Sequence, residues 1–404
     1  MKNNIAGNAS TRRLTLAVLA SLAAMSSLAT NIILPAFADI GHTLAVPTRE
    51  LAVTLSSFFI AFALGQLLVG PASDRWGRRW LVLGGLAVLV AGSAICATAN
   101  SLEWLVVGRI VQGLGACATS VLARSMARDL FNGTDLSRAL AFIMVAMAAA
   151  PGFSPLLGGL LNHVAGWRSA FWLVALLALL LALLYLARMG ETHPPSARRH
   201  ATATETLTHY AQLSLDRRFA SPALGVSTAV GGLFTFFATA PAIVMDGMGL
   251  TPIELGYFFA ATVFVVFGAG IAAPKLAARW GMLKVATAGS IIALVGGASL
   301  LGGSVTLIHF SLSIVLFLFG IGLVNPLATA MTLQPFGELA GAASALLGFF
   351  QMAAATIAIS VATSLDWPAY VALGSVLVAC MSLSLMALMM SKRQSSPTPA
   401  SSRP

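Results

Sequence analysis

Charge is what this sequence has least of. Of its 404 residues only 9% are Asp, Glu, Lys or Arg, against ~25% in an ordinary soluble domain. So few charges cannot clothe a water-facing surface over most of the chain. Carboxylates are scarcest, 13 in all. The three cysteines, Cys96, Cys117 and Cys380, each lie inside an apolar run. Their odd number and their setting exclude a disulfide framework and a zinc site. The six histidines are scattered (His42, His163, His193, His200, His209, His309). No phosphate loop, metal-ligand spacing or nucleophile elbow is present. These absences exclude an enzyme, a metal, a cofactor and ATP as a driving force. No basic stripe is interleaved with aromatics, which excludes nucleic acid as a partner.

What is present is apolar. The chain is 58% hydrophobic with mean hydropathy +0.89. No charged residue occurs from Leu14 to Ala38, from Leu51 to Ser73, or from Val285 to Gly337. A bilayer-crossing helix needs ~20 apolar residues, so the last run holds two spans, broken at Gly302-Gly303-Ser304. The runs together make about twelve spans by that length rule. The expected fold class is an all-α membrane protein. The first run follows Lys2, Arg12 and Arg13 but exceeds the ~7–15 residues of a signal-peptide core, so it reads as an uncleaved first span. The net charge of +10 is then a topology signal. With the amino terminus in the cytoplasm, all Lys and Arg except Arg49, Arg109 and Arg168 fall on or beside the cytoplasmic face. That asymmetry predicts both termini inside the cell.

The chain divides near its middle. Expected are a cytoplasmic N-terminus over 1–13, a six-helix bundle over 14–189, a linker over 190–217, a second bundle over 218–390, and a Ser/Pro-rich disordered tail over 391–404. The linker carries Pro194-Pro195 and Arg198-Arg199 and shows no apolar period, so it reads as solvated. Arg75-Trp76-Gly77 after the second span recurs as Arg279-Trp280-Gly281 after the eighth. Duplicated halves flanking a substrate site are a common transporter plan.

The sharpest motif is Gly70-Pro71-Ala72-Ser73-Asp74-Arg75-Trp76-Gly77-Arg78-Arg79. An acid followed by three bases in a tight turn can form ion pairs that hold one face shut, and Asp74 could cap a helix N-terminus. The alternative is a plain loop obeying the charge asymmetry. Arg109 is the one basic residue deep in a span. Such a charge costs ~2.5–3.5 kcal/mol on insertion scales, so it faces protein or a wet cavity. It either orients substrate and tunes coupling or serves as a hydrogen-bond hub to carbonyls. Gln66, Asn325 and Gln351 are neutral polar residues inside apolar runs. They line a central cavity or tie helices together. Phe58, Phe59, Phe234, Phe236, Phe237, Met144 and Met147 are candidates for a soft apolar pocket.

Gly70 to Arg79 resembles the loop 2–3 signature of the major facilitator superfamily. Arg109 with Gln112 and Gly113 resembles its fourth-helix motif, and Pro151, Gly152, Pro155, Gly158 and Gly159 resemble the fifth-helix motif of its antiporters. Leu122-Ala123-Arg124 with Arg128-Asp129-Leu130, and Ala340 to Gly348 with Gln351, resemble the bacterial Bcr/CflA multidrug-resistance family. The resemblance implies two pseudo-symmetric six-helix bundles in the bacterial inner membrane. It implies a monomeric, proton-coupled exporter of amphipathic small molecules, gated by Gly70, Asp74, Arg75, Gly77, Arg78, Arg79 and Asp129. One departure stands out. The family places an acid in the first helix where this chain has Asn31. Proton coupling then falls to Asp39, Glu50 or His309, or the protein exchanges a metabolite without protons.

Overall fold

The computed structural model describes residues 9–198, 202–302 and 306–392. Lys2, Arg199, His200, Gly303, Ser304 and the tail from Arg393 onward lie outside the described residues. Among those described, every regular element is helical. Twelve helices are long and apolar enough to cross a membrane. In lipid the backbone must satisfy its own hydrogen bonds, and a helix does so within one segment. Leu- and Ala-rich runs therefore become helices end to end.

The first span is α1 (Ala9–Asn31), a 3₁₀ turn (Leu34–Ala36) and α2 (Phe37–Leu44). The break falls at Pro35, which has no N–H to donate. Five more spans complete the first bundle: α3 (Ala52–Trp76), α4 (Arg78–Thr98), α5 (Leu102–Leu130), α6 (Gly133–Ala165) and α7 (Arg168–Arg188). After the linker helix α8 (Ala203–Leu215) come α9 (Arg217–Pro241), α10 (Pro252–Trp280), α11 (Met282–Ser299), α12 (Leu307–Leu333), α13 (Ala340–Ser364) and α14 (Ala369–Lys392). Hydroxyl caps start several of them. Ser101 accepts from the Trp104 N–H, Thr306 from His309, and Thr251 forms a capping box with Glu254, an arrangement that satisfies otherwise orphaned donors.

The two bundles repeat one packing plan. In the first, α4 packs on α5 and α7, α5 on α3, and α1 on α5, α6 and α7. In the second, α11 packs on α12 and α14, α12 on α10, and α9 on α12, α13 and α14. Between bundles, α3 lies along α13 and α6 along α10. The Arg-Trp-Gly repeat marks a matched corner in this plan. Gly77 and Gly281 end α3 and α10 with φ of 94° and 87°, a left-handed turn that glycine adopts without a Cβ penalty.

The linker differs from a wholly solvated segment. Thr202 and Glu205 form a capping box that starts the 13-residue α8. Tyr210 and Leu213, on one face of it, are buried. The polar residues around them, among them Thr208, His209, Gln212 and Ser214, hid that short apolar stripe.

Candidate functional site

The corner at the ends of α3, α5 and α7 gathers most of the motif residues. Arg78 is buried, and its guanidinium bonds Asp74 Oδ1 at 2.6 Å and Asp129 Oδ2 at 3.0 Å, with Ser73 Oγ as a further acceptor. Burying a guanidinium is tolerable only with such pairing. Asp129 also accepts from Thr192 Oγ1 at 3.2 Å. Asp74, expected as a possible cap, instead pairs with Arg78. The cap on α4 comes from Glu191, just beyond α7. Its carboxylate accepts the backbone N–H of Arg78 at 2.9 Å and of Arg79 at 3.3 Å. Burial tends to raise the Glu191 carboxyl pKa. The N–H groups of His193, Arg78 and Arg79 and the Arg198 charge outweigh this and hold it below the usual carboxylate value. Gly77 is favoured here by its φ of 94°, and an added Cβ would also displace the ends of the Glu191 and Arg198 side chains. Gly70 meets nothing within 4 Å, so close helix contact is not its role. Arg75 and Arg79 carry no carboxylate partner among the described residues.

Glu191 was the residue that motif reading missed. A signal did exist, because it is the one acid between Asp135 and Glu205 and it follows the sixth span directly.

Arg109 sits on α5 with no solvent exposure. Its Nε donates to the Thr54 carbonyl (3.2 Å), Nη1 to the Ala29 carbonyl (2.7 Å) and to Gln112 Oε1 (2.5 Å), and Nη2 to the Thr30 carbonyl (3.4 Å). The Phe58 ring covers its guanidinium at 4.4 Å, a favourable cation–π arrangement. Gln112 passes the chain on to Ser93 Oγ at 2.8 Å. Ala29 and Thr30 lie in the last turn of α1, beside the Pro35 break. Of the two readings of Arg109, this geometry is the carbonyl hub: it ties α1, α3 and α5 together inside the first bundle. Asn31 is buried and donates to the Ser27 carbonyl at 2.8 Å.

Gln66 and Gln351 both lie on the helices that form the seam between bundles, α3 and α13. Gln66, buried on α3, presses its amide against Gly348 of α13 so closely that any Cβ there would collide. Gln351 is half-buried one turn further along α13. Thr356 Oγ1 donates across the seam to the Ser56 carbonyl at 3.4 Å, and Phe59 meets Phe234 of α9 with ring centroids 4.4 Å apart. The second seam uses the α6 glycines. Gly152 lies against Val263, and a Cβ on Gly159 would stand 2.7 Å from the Pro252 carbonyl. Gly158 abuts the Ile32 carbonyl within the first bundle. Pro151 and Pro155 lie inside α6, where each removes a backbone donor. Asn325 is half-buried on α12, before Pro326.

Asp39, Glu50 and His309 lie far from this centre, at the opposite end from Asp74. Asp39 is exposed and accepts from Asn162. Glu50 lines a cavity of about 690 Å³ with Arg49, Ser56, Ser360 and Asp366. His309 is half-buried in the first turn of α12. Here Arg49 bridges the bundles, with Nε on the Thr363 carbonyl at 2.7 Å and Nη2 on Asp366 Oδ1 at 3.0 Å.

Two repeated bundles, a charged corner after the second span and a glycine-packed seam match a known family. Residues 19–359 match the Major Facilitator Superfamily. The chain belongs to that superfamily. Among curated relatives of this facilitator, the uncharacterized MFS-type transporter YdgK of Bacillus subtilis (strain 168) is 31% identical over 355 residues, covering 84% of this chain and 86% of that protein. Multidrug resistance protein D of Escherichia coli (strain K12) is 28% identical over 83% of this chain and 85% of its own length. The bicyclomycin resistance protein homolog of Haemophilus influenzae (strain ATCC 51907 / DSM 11121 / KW20 / Rd) is 27% identical, covering 93% and 94%. A bacterial homolog of the lysosomal transporter Spinster, solved inward-facing and unoccupied, superposes with a TM-score of 0.75 at 15% identity over 97% of this chain and 100% of that one. The fold is thus that of a facilitator, a multi-pass membrane transporter of small molecules.

Proposed function

We propose that this facilitator exports amphipathic small molecules by alternating access, driven by a proton gradient. The bundles over 14–189 and 218–390 rock about the α3–α13 and α6–α10 seams, and both termini face the cytoplasm of a bacterial inner membrane. The observation that carries this reading is the chemistry of the seam. The Arg49 bridge to Thr363 and Asp366 ties the bundles through a charged side chain at one end, while toward the other end the Asp74–Arg78–Asp129 cluster lies within the first bundle and the neutral bond of the Tyr210 hydroxyl to the Leu67 carbonyl reaches across. We read this state as closed at the Arg49 end and able to open at the Asp74 corner. Relatives named for multidrug and bicyclomycin resistance support export of drugs. Phe59, Phe234 and the Gln66–Gln351 region offer substrate an apolar wall with few polar anchors, the usual makeup of a small-molecule pocket.

Proton coupling without a midplane carboxylate falls to the groups at the closed end, Glu50 first, since it lines the cavity beside the Arg49–Asp366 pair. The protein works as a monomer, with each chain carrying both seams. A second reading, exchange of a metabolite without protons, is favoured by Asn31 in place of an acid. The separating experiment is drug susceptibility of a pump-deficient host expressing the protein, with and without an uncoupler. Resistance that the uncoupler abolishes supports the export reading. A well-expressed protein that changes no susceptibility moves the assignment to metabolite exchange.

A further inference from the structure

Every hydroxyl of α9 but one is bonded to a carbonyl. Ser221 Oγ donates to Ala387, Thr228 Oγ1 to Leu224 and Gly225, Thr235 Oγ1 to Gly231 and Thr239 Oγ1 to Thr235. Ser227 is buried, and its Oγ has no hydrogen-bond partner among the described residues. A hydroxyl inside a helix ordinarily bonds back to the carbonyl one turn earlier, and a buried one left unpaired is costly. Ser227 therefore points to a partner that the chain itself does not supply.

Its surroundings name that partner's chemistry. Gly231, one turn along the same face of α9, lies against the Ala354 carbonyl of α13. α9 and α13 belong to the seventh and eleventh spans and so run in the same direction. Ser227 thus stands level with Gln351, which is half-buried and makes no side-chain hydrogen bond among the described residues. Across the seam, Gln66 of α3 lies against Gly348, about one turn away on α13. About two turns nearer the Arg49 end, Phe59 of α3 and Phe234 of α9 close over these three residues. A hydroxyl and two neutral amides from three helices lie together under an aromatic lid.

No charge is built into these walls. α3, α9 and α13 carry no Asp, Glu, Lys or Arg over 51–73, 219–245 and 339–365. Arg109, buried in the first bundle, is engaged by the carbonyls of Ala29, Thr30 and Thr54 and by Gln112. An ion moved from water to this seam would meet no counter-charge, and its desolvation would go uncompensated. A neutral molecule incurs no such cost. We propose, resting on the reading of this seam as the substrate's site, that it selects an uncharged amphiphile. The apolar body lies under Phe59 and Phe234, and a carbonyl, amide or hydroxyl end bonds Ser227 and Gln351. The Ser227 hydroxyl donates to a substrate oxygen, and the Gln351 amide both donates and accepts. Lipophilic cations and carboxylates are rejected alike.

The test is equilibrium dialysis of the purified full-length protein in nanodiscs, with empty nanodiscs as the blank. Three probes share one dansyl body and differ in their end: a neutral primary amide, a carboxylate and a quaternary ammonium. The amide is expected to bind about tenfold more tightly than either ion. Ser227→Ala should weaken amide binding about fivefold, the equivalent of one hydrogen bond. Thr228→Ala removes a neighbouring hydroxyl that is already bonded within α9 and should leave it unchanged. Gln351→Glu brings a carboxylate to the seam and should turn the preference toward the ammonium by about tenfold. That reversal carries the test if the alanine variant does not fold. Equal or tighter binding of either ion by the parent, or no binding of the amide, overturns the selection for neutral molecules. No loss in Ser227→Ala, an equal loss in Thr228→Ala, or no reversal in Gln351→Glu overturns the site. Dialysis needs neither a gradient nor a direction of transport. A parent that binds the amide but gives its host no resistance therefore counts against export and leaves the site standing.

Discussion

The two bundles share a packing plan and differ in what fills it. The first holds the membrane-buried Arg109 and, at its Gly77 corner, the paired Asp74, Arg78, Asp129 and Glu191. The second carries no charge from Val285 to Gly337, and its core is phenylalanine. Phe236 contacts Phe237, Phe258 and Phe259, and Phe258 stacks on Phe310. At its Gly281 corner Arg279 lies over Trp280 without a carboxylate partner among the described residues. One topology therefore tolerates both fillings. Small residues at helix crossings set the fold in each bundle, and among the described residues buried charge is added to only one. The first bundle is pinned by directed bonds and carries ion pairs at its corner. The second is held mainly by aromatic and aliphatic packing, with neutral hydroxyl bonds such as Ser290 with Ser384 between its helices.

The comparison breaks most visibly at Arg109. Arg109→Leu leaves the carbonyls of Ala29, Thr30 and Thr54 without their donor. Each orphaned acceptor costs ~1–3 kcal/mol, so a loss of about 3–5 kcal/mol is expected, discounted for partial refilling by water. Phe310→Leu, an apolar change in the second bundle, should cost only ~1 kcal/mol. Thermal unfolding in detergent by fluorescence-detected gel filtration measures both. Equal shifts would mean that Arg109 is not the pin of its bundle.

Next is the seam where the bundles touch. Gly348→Ala puts a methyl where the Gln66 amide lies, whereas Gly341→Ala meets open space. Overpacking of this kind costs ~1–3 kcal/mol, and here it falls on one conformer. Transport by Gly348→Ala should drop about tenfold, the rate equivalent of ~1.4 kcal/mol, and Gln66→Ala in the same protein should restore part of it. No rescue by Gln66→Ala would remove the steric explanation.

The corners come third. Asp74→Asn should lower transport several-fold while leaving membrane insertion intact, and Arg279→Gln at the matching corner should do little. The Glu191 cap adds a pH signature. Its carboxyl titrates below the usual value in the folded protein. The stabilisation it gives is therefore present above the unfolded pKa of ~4.3 and is lost as pH falls through the lower folded value. Melting curves of the parent and of Glu191→Gln should draw together as pH falls below ~4.3. Curves that stay parallel to pH 3 would place the cap's stabilisation elsewhere.

How much of this was legible in the sequence depends on the range of the interaction. Charge-free runs announced the helices, because length and apolarity alone decide a span. The Arg-Trp-Gly repeat announced the duplication, because a glycine at positive φ is a local need of the corner. Asp74, Arg78 and Asp129 were legible as a group through resemblance, though Asp74 proved a partner of Arg78 and not a cap. Arg109 was legible as special, but the choice between substrate contact and carbonyl hub depended on where α1 breaks. Glu191 and the Arg49–Thr363 bridge join residues far apart in the chain, and no spacing rule encodes them. Gln66 with Gly348 was half-legible: both were singled out, and only the fold brings them together.

The smallest expected effect lies in the linker, which joins the two bundles. Pro71 has no N–H, so the Leu67 carbonyl one turn earlier in α3 loses its helical donor. Tyr210 of α8 supplies a replacement, its hydroxyl donating to that carbonyl at 3.1 Å. α8 itself packs on α9 and α13 of the second bundle. A single neutral hydrogen bond thus reaches from the linker to the helix that leads into the Gly77 turn. Tyr210→Phe keeps the ring and its burial and removes only the hydroxyl. The expected loss is ~1 kcal/mol, read as a small fall in melting temperature. If the bond also restrains α3 during rocking, transport by Tyr210→Phe should change while that of Leu213→Met, a packing change on the same buried face, stays at the parent level. Identical transport by the two variants would leave the hydroxyl a purely local repair of the proline.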